Sequence, residues 1–141
     1  MGITIYSGGG NNPSFNRIIN NKIYDNARLG NRGPGIGFNS GDGNVAINNI
    51  IWGNDKGFEI SSASNSQLYN NTVYGNLNGI VIAAAAVGTE VVNNISFNNG
   101  RRDLDDLGVD TIVHHNLTEN PLFVDARNHD FSLLSGSLCH R

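Results

Sequence analysis

A pair of asparagines followed by a short apolar stretch recurs along this chain at a nearly constant interval, and that recurrence limits the fold more than any local propensity. The copies are Ile18-Ile19-Asn20-Asn21-Lys22-Ile23-Tyr24, Ala46-Ile47-Asn48-Asn49-Ile50-Ile51-Trp52, Leu68-Tyr69-Asn70-Asn71-Thr72-Val73-Tyr74 and Val91-Val92-Asn93-Asn94-Ile95-Ser96-Phe97. A weaker fifth copy is Val113-His114-His115-Asn116-Leu117-Thr118. The second asparagine falls at Asn21, Asn49, Asn71, Asn94 and Asn116, in steps of 28, 22, 23 and 22 residues. A second series, Gly35-Ile36-Gly37-Phe38, Gly57-Phe58-Glu59-Ile60 and Gly79-Ile80-Val81-Ile82, also advances by 22.

A period near 22 residues admits two main solenoids. The leucine-rich repeat needs a Leu-x-x-Leu-x-Leu frame, which is absent. Helical repeats are longer and do not tolerate Gly and Asn at this density. A parallel β-helix fits: short strands joined by turns, with successive coils roughly 4.8 Å apart. Stacking sets each repeat position above its equivalent, so an Asn amide, both donor and acceptor, bonds up the stack as a ladder. Asn also tolerates the left-handed backbone of a sharp turn. Both properties account for the column at Asn21, Asn49, Asn71, Asn94 and Asn116, and a second column, Asn26, Asn54, Asn76 and Asn99, marks the next turn. The expectation is an all-β solenoid of about five coils. It forms one domain over 1–141, with coils over about 3–118 and a capping tail at 119–141 that covers the end with Phe123 and Phe131. The long first step carries about six extra residues, supplied by Arg28 to Pro34 or Ser40 to Gly43 as a loop.

Composition narrows the function. Asn is about one residue in six, which alone would suit a disordered tract, but the 38% hydrophobic residues recur in order. A net charge of −3, with 15% charged residues, leaves no basic stripe for nucleic acid. No apolar run is long enough to span a bilayer. The one cysteine, Cys139, cannot form an internal disulfide. Met1 to Tyr6 lacks the features of a signal peptide and reads like the middle of a strand. The expectation is a protein used where it is made, or one part of a longer chain.

With these repeats, residues 15–118 resemble the right-handed parallel β-helix repeat family of pectate lyases, polygalacturonases and alginate-cleaving enzymes. The tail segments Asn120-Pro121-Leu122-Phe123-Val124-Asp125, Asp130-Phe131-Ser132-Leu133 and Gly136-Ser137 resemble the segment after the last coil in bacterial members. The chain departs from that pattern at Leu138-Cys139-His140-Arg141, and the usual N-terminal capping helix is missing. The resemblance implies a right-handed, single-stranded β-helix that binds or processes polysaccharide of the uronate type, with Ca2+ as cofactor and a secreted or cell-envelope location. The alternatives are a non-catalytic structural or interaction module, or an abbreviated remnant, because one scaffold hosts many activities.

Strand alternation assigns the faces. Tyr24, Trp52, Tyr74 and Phe97 form an external aromatic column, one ring per coil: a glycan platform in one reading, a stabilising stack packed under a loop or partner in the other. Ile36, Phe38, Phe58, Ile60, Ile80 and Ile82 point inward; Gly37, Glu59, Val81 and Ala83 point outward. In pectate-lyase-like enzymes an outer strand face carries the chemistry, and by that resemblance Glu59, Arg102 and Asp103 are the catalytic candidates and Asp103 and Asp105 the metal ligands. The opposing reading is a solvated charged edge, since Val81 and Ala83 separate the carboxylates by two coils, roughly 10 Å. Asp103-x-Asp105 with Gly108 fails as an EF-hand, having Leu107 and His114 where oxygen ligands are needed. His114 and His115, adjacent on a strand, are expected on opposite faces. The sequons at Asn70, Asn94 and Asn116 arise from the Asn-rich repeat, and Gly33-Pro34-Gly35-Ile36-Gly37 is a turn. No nucleophile elbow or Cys-His pairing is present. The first coil carries no cap, so a homodimer through it, or continuation into upstream sequence, is expected.

Overall fold

A computed structural model describes residues 2–26 and 33–140. The alternation of apolar and polar residues resolves into three parallel sheets that run the length of the stack. Sheet A orders β1 (Ile3–Ile5), β4 (Pro34–Phe38), β7 (Lys56–Ile60), β10 (Asn78–Ile82) and β13 (Leu104–Asp106). Sheet B orders β2 (Arg17–Ile19), β5 (Val45–Ile47), β8 (Gln67–Tyr69), β11 (Glu90–Val92) and β14 (Ile112–His114). Sheet C orders β3 (Lys22–Tyr24), β6 (Ile50–Trp52), β9 (Thr72–Tyr74) and β12 (Ile95–Phe97). Four coils carry all three strands, from β2–β3–β4 to β11–β12–β13, with β1 before them and β14 after. The stack is therefore about four coils, not five: the copy at Val113 to Thr118 contributes a strand and a bridge at Leu117 but no returning sheet A strand.

Equivalent residues lie over one another. Ile18, Ala46, Leu68, Val91 and Val113 share one register on sheet B. Ile23, Ile51, Val73 and Ser96 share one on sheet C. On sheet A, Phe38, Ile60, Ile82 and Asp106 are aligned. The six residues of sheet A expected to point inward are all fully buried. Burying side chains of this kind contributes about 1.5–3 kcal/mol each.

The corners divide two tasks that the sequence reading gave to one residue. The first asparagine of each pair takes the left-handed backbone: Asn20, Asn48, Asn70 and Asn93 have φ of 60°, 54°, 55° and 57°. The second turns inward and builds the ladder. Asn49 donates from its backbone N and its Nδ2 to Asn71 Oδ1, each at 3.0 Å, and Asn71 does the same to Asn94 Oδ1 at 2.9 Å. Each Nδ2 also donates to a strand carbonyl, as Asn71 does to Ala46 O at 3.0 Å. The second corner repeats the device from Asn26 through Asn54 and Asn76 to Asn99. There Asp25, Gly53, Gly75 and Asn98 take the left-handed position.

Both ladders run one way, with donors pointing toward the C-terminal coils. The second ends on Asp103, whose Oδ1 accepts from Asn99 N at 3.0 Å and Asn99 Nδ2 at 2.7 Å. A carboxylate accepts and cannot pass the ladder on. Asp106 likewise replaces an apolar core position and accepts from Gly108 N and Thr111 Oγ1.

The six extra residues of the first step lie between Asn26 and Pro34. Asn26 is laddered to Asn54, and Pro34 is in register with Lys56, so seven residues (27–33) stand where the next coil has one, Asp55. Arg28 to Arg32, expected as a loop, lie outside the described residues. Ser40 to Gly43 is an ordinary corner, with Asp42 bridged to Ser64.

The tail folds as an antiparallel hairpin of β15 (Phe123–Asp125) and β16 (Asp130–Leu133) around a 3-10 turn at Ala126–Asn128. Its rings, expected over the open end as a cap, pack on the side of sheet C. Phe123 lies edge-on to Tyr74 at 5.8 Å, and Phe131 contacts Trp52 and Tyr74 at 5.6 and 5.4 Å. The physical reason is the partner on offer: the open end presents Asp103 and Asp106, whereas the side of sheet C presents aromatic rings.

Candidate functional site

Tyr24, Trp52, Tyr74 and Phe97 stand in one register on the outer face of sheet C. Their rings do not form an open lateral platform, because Tyr24 stacks on Trp52 and the tail's rings pack on Trp52 and Tyr74. Tyr24 and Trp52 are stacked at 4.5 Å with planes 6° apart. Trp52 is also stacked on His129 of the tail, at 4.9 Å and 28°, and is only 8% exposed. Tyr74 is packed among Phe97, Phe123 and Phe131. Tyr24, on the first strand of sheet C, is 53% exposed.

Beside Tyr24 the stack opens into a hollow of about 350 Å³, lined by Gly2, Ile3, Asn21, Lys22, Ile23, Tyr24 and Asn26. Ladder direction sets its polarity. Asn21 and Asn26 donate down the stack to Asn49 and Asn54, and among the described residues their Oδ1 atoms receive no donor. Lys22 is exposed at the same rim. This mouth therefore combines a half-exposed ring, two carbonyl acceptors and an ammonium group, a set that suits a hydroxylated, anionic ligand with an apolar face. Asn21, Lys22 and Asn26 were missed as binding candidates in the sequence reading. The sequence carries no signal for them, because the direction in which an Asn ladder donates is set by the folded geometry.

The C-terminal mouth is larger, about 690 Å³, and is lined by Arg102, Asp103, Leu104, Val113, His114, His115, Asn116 and Thr118. No Tyr, Trp or Phe lines it, and its Asp103 is engaged by Asn99. His114 and His115 meet, Nδ1 to Nδ1 at 2.6 Å, instead of pointing to opposite faces. The cause is backbone geometry: His115 sits at the left-handed corner position, φ 55°, where strand alternation does not apply.

On sheet A, Thr4, Gly37, Glu59, Val81 and Asp105 share one outward row. Glu59 pairs with Lys56 at 2.9 Å, and Asp105 pairs with Arg102. Val81 separates the two carboxylates, and Asp103 belongs to the ladder. Of the catalytic candidates, Arg102 and Asp103 line the C-terminal mouth together, whereas Glu59 stands on sheet A paired with Lys56. Among the described residues no group of three or more His, Cys, Asp or Glu side chains is placed to hold a metal ion, so Asp103 and Asp105 stand without a third ligand.

The family model described as "Right handed beta helix region" matches residues 1–120. No curated protein and no solved structure matches the chain.

Proposed function

We propose that this chain, which belongs to the right-handed β-helix family, binds acidic polysaccharide of the uronate type at its N-terminal mouth without cleaving it. The observation that carries this reading is the half-exposed Tyr24 ring, seated on Trp52 and flanked by the Oδ1 atoms of Asn21 and Asn26, which receive no donor among the described residues. A sugar ring stacks its C–H face on the tyrosine, its hydroxyls donate to the two asparagine oxygens, and its carboxylate pairs with Lys22. Binding is favoured over turnover because Glu59 and Asp105 are each paired with a cation, Lys56 and Arg102, and Asp103 closes a ladder.

Isothermal titration with hexagalacturonate and with a neutral cello-oligosaccharide tests this. Tyr24→Ala is expected to weaken hexagalacturonate binding at least tenfold, about 1.4 kcal/mol. Lys22→Gln is expected to remove the preference for the acidic chain. Unchanged affinity in Tyr24→Ala, or release of unsaturated or shortened product by the wild type, would overturn the reading.

A further inference from the structure

The tail is attached to the stack in an unusual way. Among the described residues, the hydrogen bonds of residues 119–140 stay inside the tail: Leu134 N to Leu122 O, His129 N to Ala126 O, Asn128 to Asp125 and Ser137 N to Leu134 O. Aromatic rings carry the hairpin's contact with Trp52, through His129 and Phe131, while Leu138 and Cys139 line a hollow with Ile95 and Leu117. That contact leaves a defect. Trp52 Nε1 is buried and, among the described residues, has no hydrogen-bond partner. A buried donor without an acceptor costs about 1–3 kcal/mol. An indole N–H that is covered but unpaired, one coil below the half-exposed Tyr24, lacks an oxygen that the tail does not supply.

We infer that Trp52 is a second sugar subsite, occluded by a tail that acts as a displaceable latch, with His129 occupying the place of a sugar ring on the indole. A glycan long enough to reach past Tyr24 displaces His129 and Phe131, stacks on the freed side of the indole and supplies a hydroxyl or ring oxygen to Nε1. The hairpin swings away without breaking a hydrogen bond to the stack, and the aromatic contacts it gives up on Trp52 are replaced by the stacked sugar. This inference rests on the glycan reading of Tyr24. It adds a length dependence: short ligands use Tyr24 alone, and long ones must open the tail. The closed tail lowers apparent affinity for long ligands by the fraction of molecules that are open.

Trp52 is the only tryptophan, so its emission reports the latch directly. Galacturonic acid and hexagalacturonate are titrated into the wild type, His129→Ala and the double variant H129A/F131A, with thermal melts confirming that each is folded. The single variant keeps both tail phenylalanines and serves if the double variant melts early. Acrylamide quenching of Trp52 is expected to rise in the ligand-free variants. Hexagalacturonate is expected to bind the double variant about fivefold tighter than the wild type, with galacturonic acid binding unchanged. Equal hexagalacturonate affinity in wild type and variants, or a Trp52 emission that ignores hexagalacturonate, overturns the latch and leaves Tyr24 standing. Absence of binding in all three proteins overturns the Tyr24 seat and the latch together.

Discussion

Asn71 donates twice to one atom of Asn94: its backbone N and its Nδ2 both reach Oδ1, at 2.9 Å each. Both residues are 1% exposed. The pair is one rung of a ladder that joins successive coils through their corners, and it gives the stack a direction as well as a spacing.

Asn71→Ala is expected to destabilise the protein by about 2–4 kcal/mol. It strands the two donors of Asn49 in a dry corner and removes the Nδ2 donor to Ala46 O and Asn94 Oδ1, the latter keeping the backbone N–H of residue 71. The neighbouring Asn70→Gly is expected to be neutral or stabilising by up to about 1 kcal/mol, because Asn70 holds only the left-handed position. Urea melts of the two variants check this. Similar losses in both would refute the division of labour at the corner.

Asp103 is expected to behave as a structural acceptor. Asp103→Asn keeps an Oδ1 for Asn99 and is predicted to cost less than about 1 kcal/mol, while Asp103→Ala costs about 2–3 kcal/mol by exposing two unmet donors. Chemical denaturation measures both. A large loss in the Asn variant would mean that the negative charge itself is needed.

The vertical repeat was legible because one side-chain position stacked on itself leaves one column in the sequence. Asn21, Asn49, Asn71, Asn94 and Asn116 form such a column, as do the inward apolar residues. What was hidden depends on geometry that the period does not record. The left-handed turn and the ladder fall on adjacent asparagines, and both properties belong to the same residue type. The meeting of His114 with His115 needs a corner, which the weak fifth copy disguises. The docking of Phe131 on Trp52 joins the tail to the second coil, outside any repeat register. The aromatic column was visible, but the stacking of Tyr24 on Trp52 and the tail rings against Trp52 and Tyr74 were not, so the half-open seat at Tyr24 was hidden.

Glycines on the inner edge of sheet A are fixed by close approach. A Cβ on Gly57 would lie 2.3 Å from Val73 Cγ1 and 2.9 Å from Gly79 O. Gly57→Ala is therefore predicted to destabilise by about 1–3 kcal/mol or more. Gly75→Asn is expected to stay within about 1 kcal/mol, since φ is 61°, a Cβ meets nothing within 4 Å, and Asn98 fills the same position one coil on. Differential scanning calorimetry ranks them; a Gly57→Ala protein as stable as the wild type would contradict the packing.

Tyr69, on the outer face of sheet B, donates its hydroxyl to Glu90 Oε2. Desolvation, then the hydrogen bond to Glu90 and its charge, push the Tyr69 phenol up from 10.0 to about 12. The folded state thus holds the proton more tightly than the unfolded chain. The resulting stability is fully present below pH 10 and is lost as pH rises through about 12. Phenolate absorbance should show one of the four tyrosines titrating last, and Glu90→Gln should lower its midpoint. A midpoint unchanged by that substitution would remove Glu90 as a cause.

The most direct test of a binding seat at the N-terminal mouth is a heteronuclear NMR titration of the intact protein with galacturonic acid, monitored through side-chain amides and the indole N–H. The prediction is that Asn21 and Asn26 side-chain signals shift together with Tyr24, while signals near Glu59, Arg102 and Asp105 stay fixed. Shifts centred on the Glu59 and Asp105 face, with Asn21 and Asn26 unmoved, would contradict a seat at the acceptor end of the ladder.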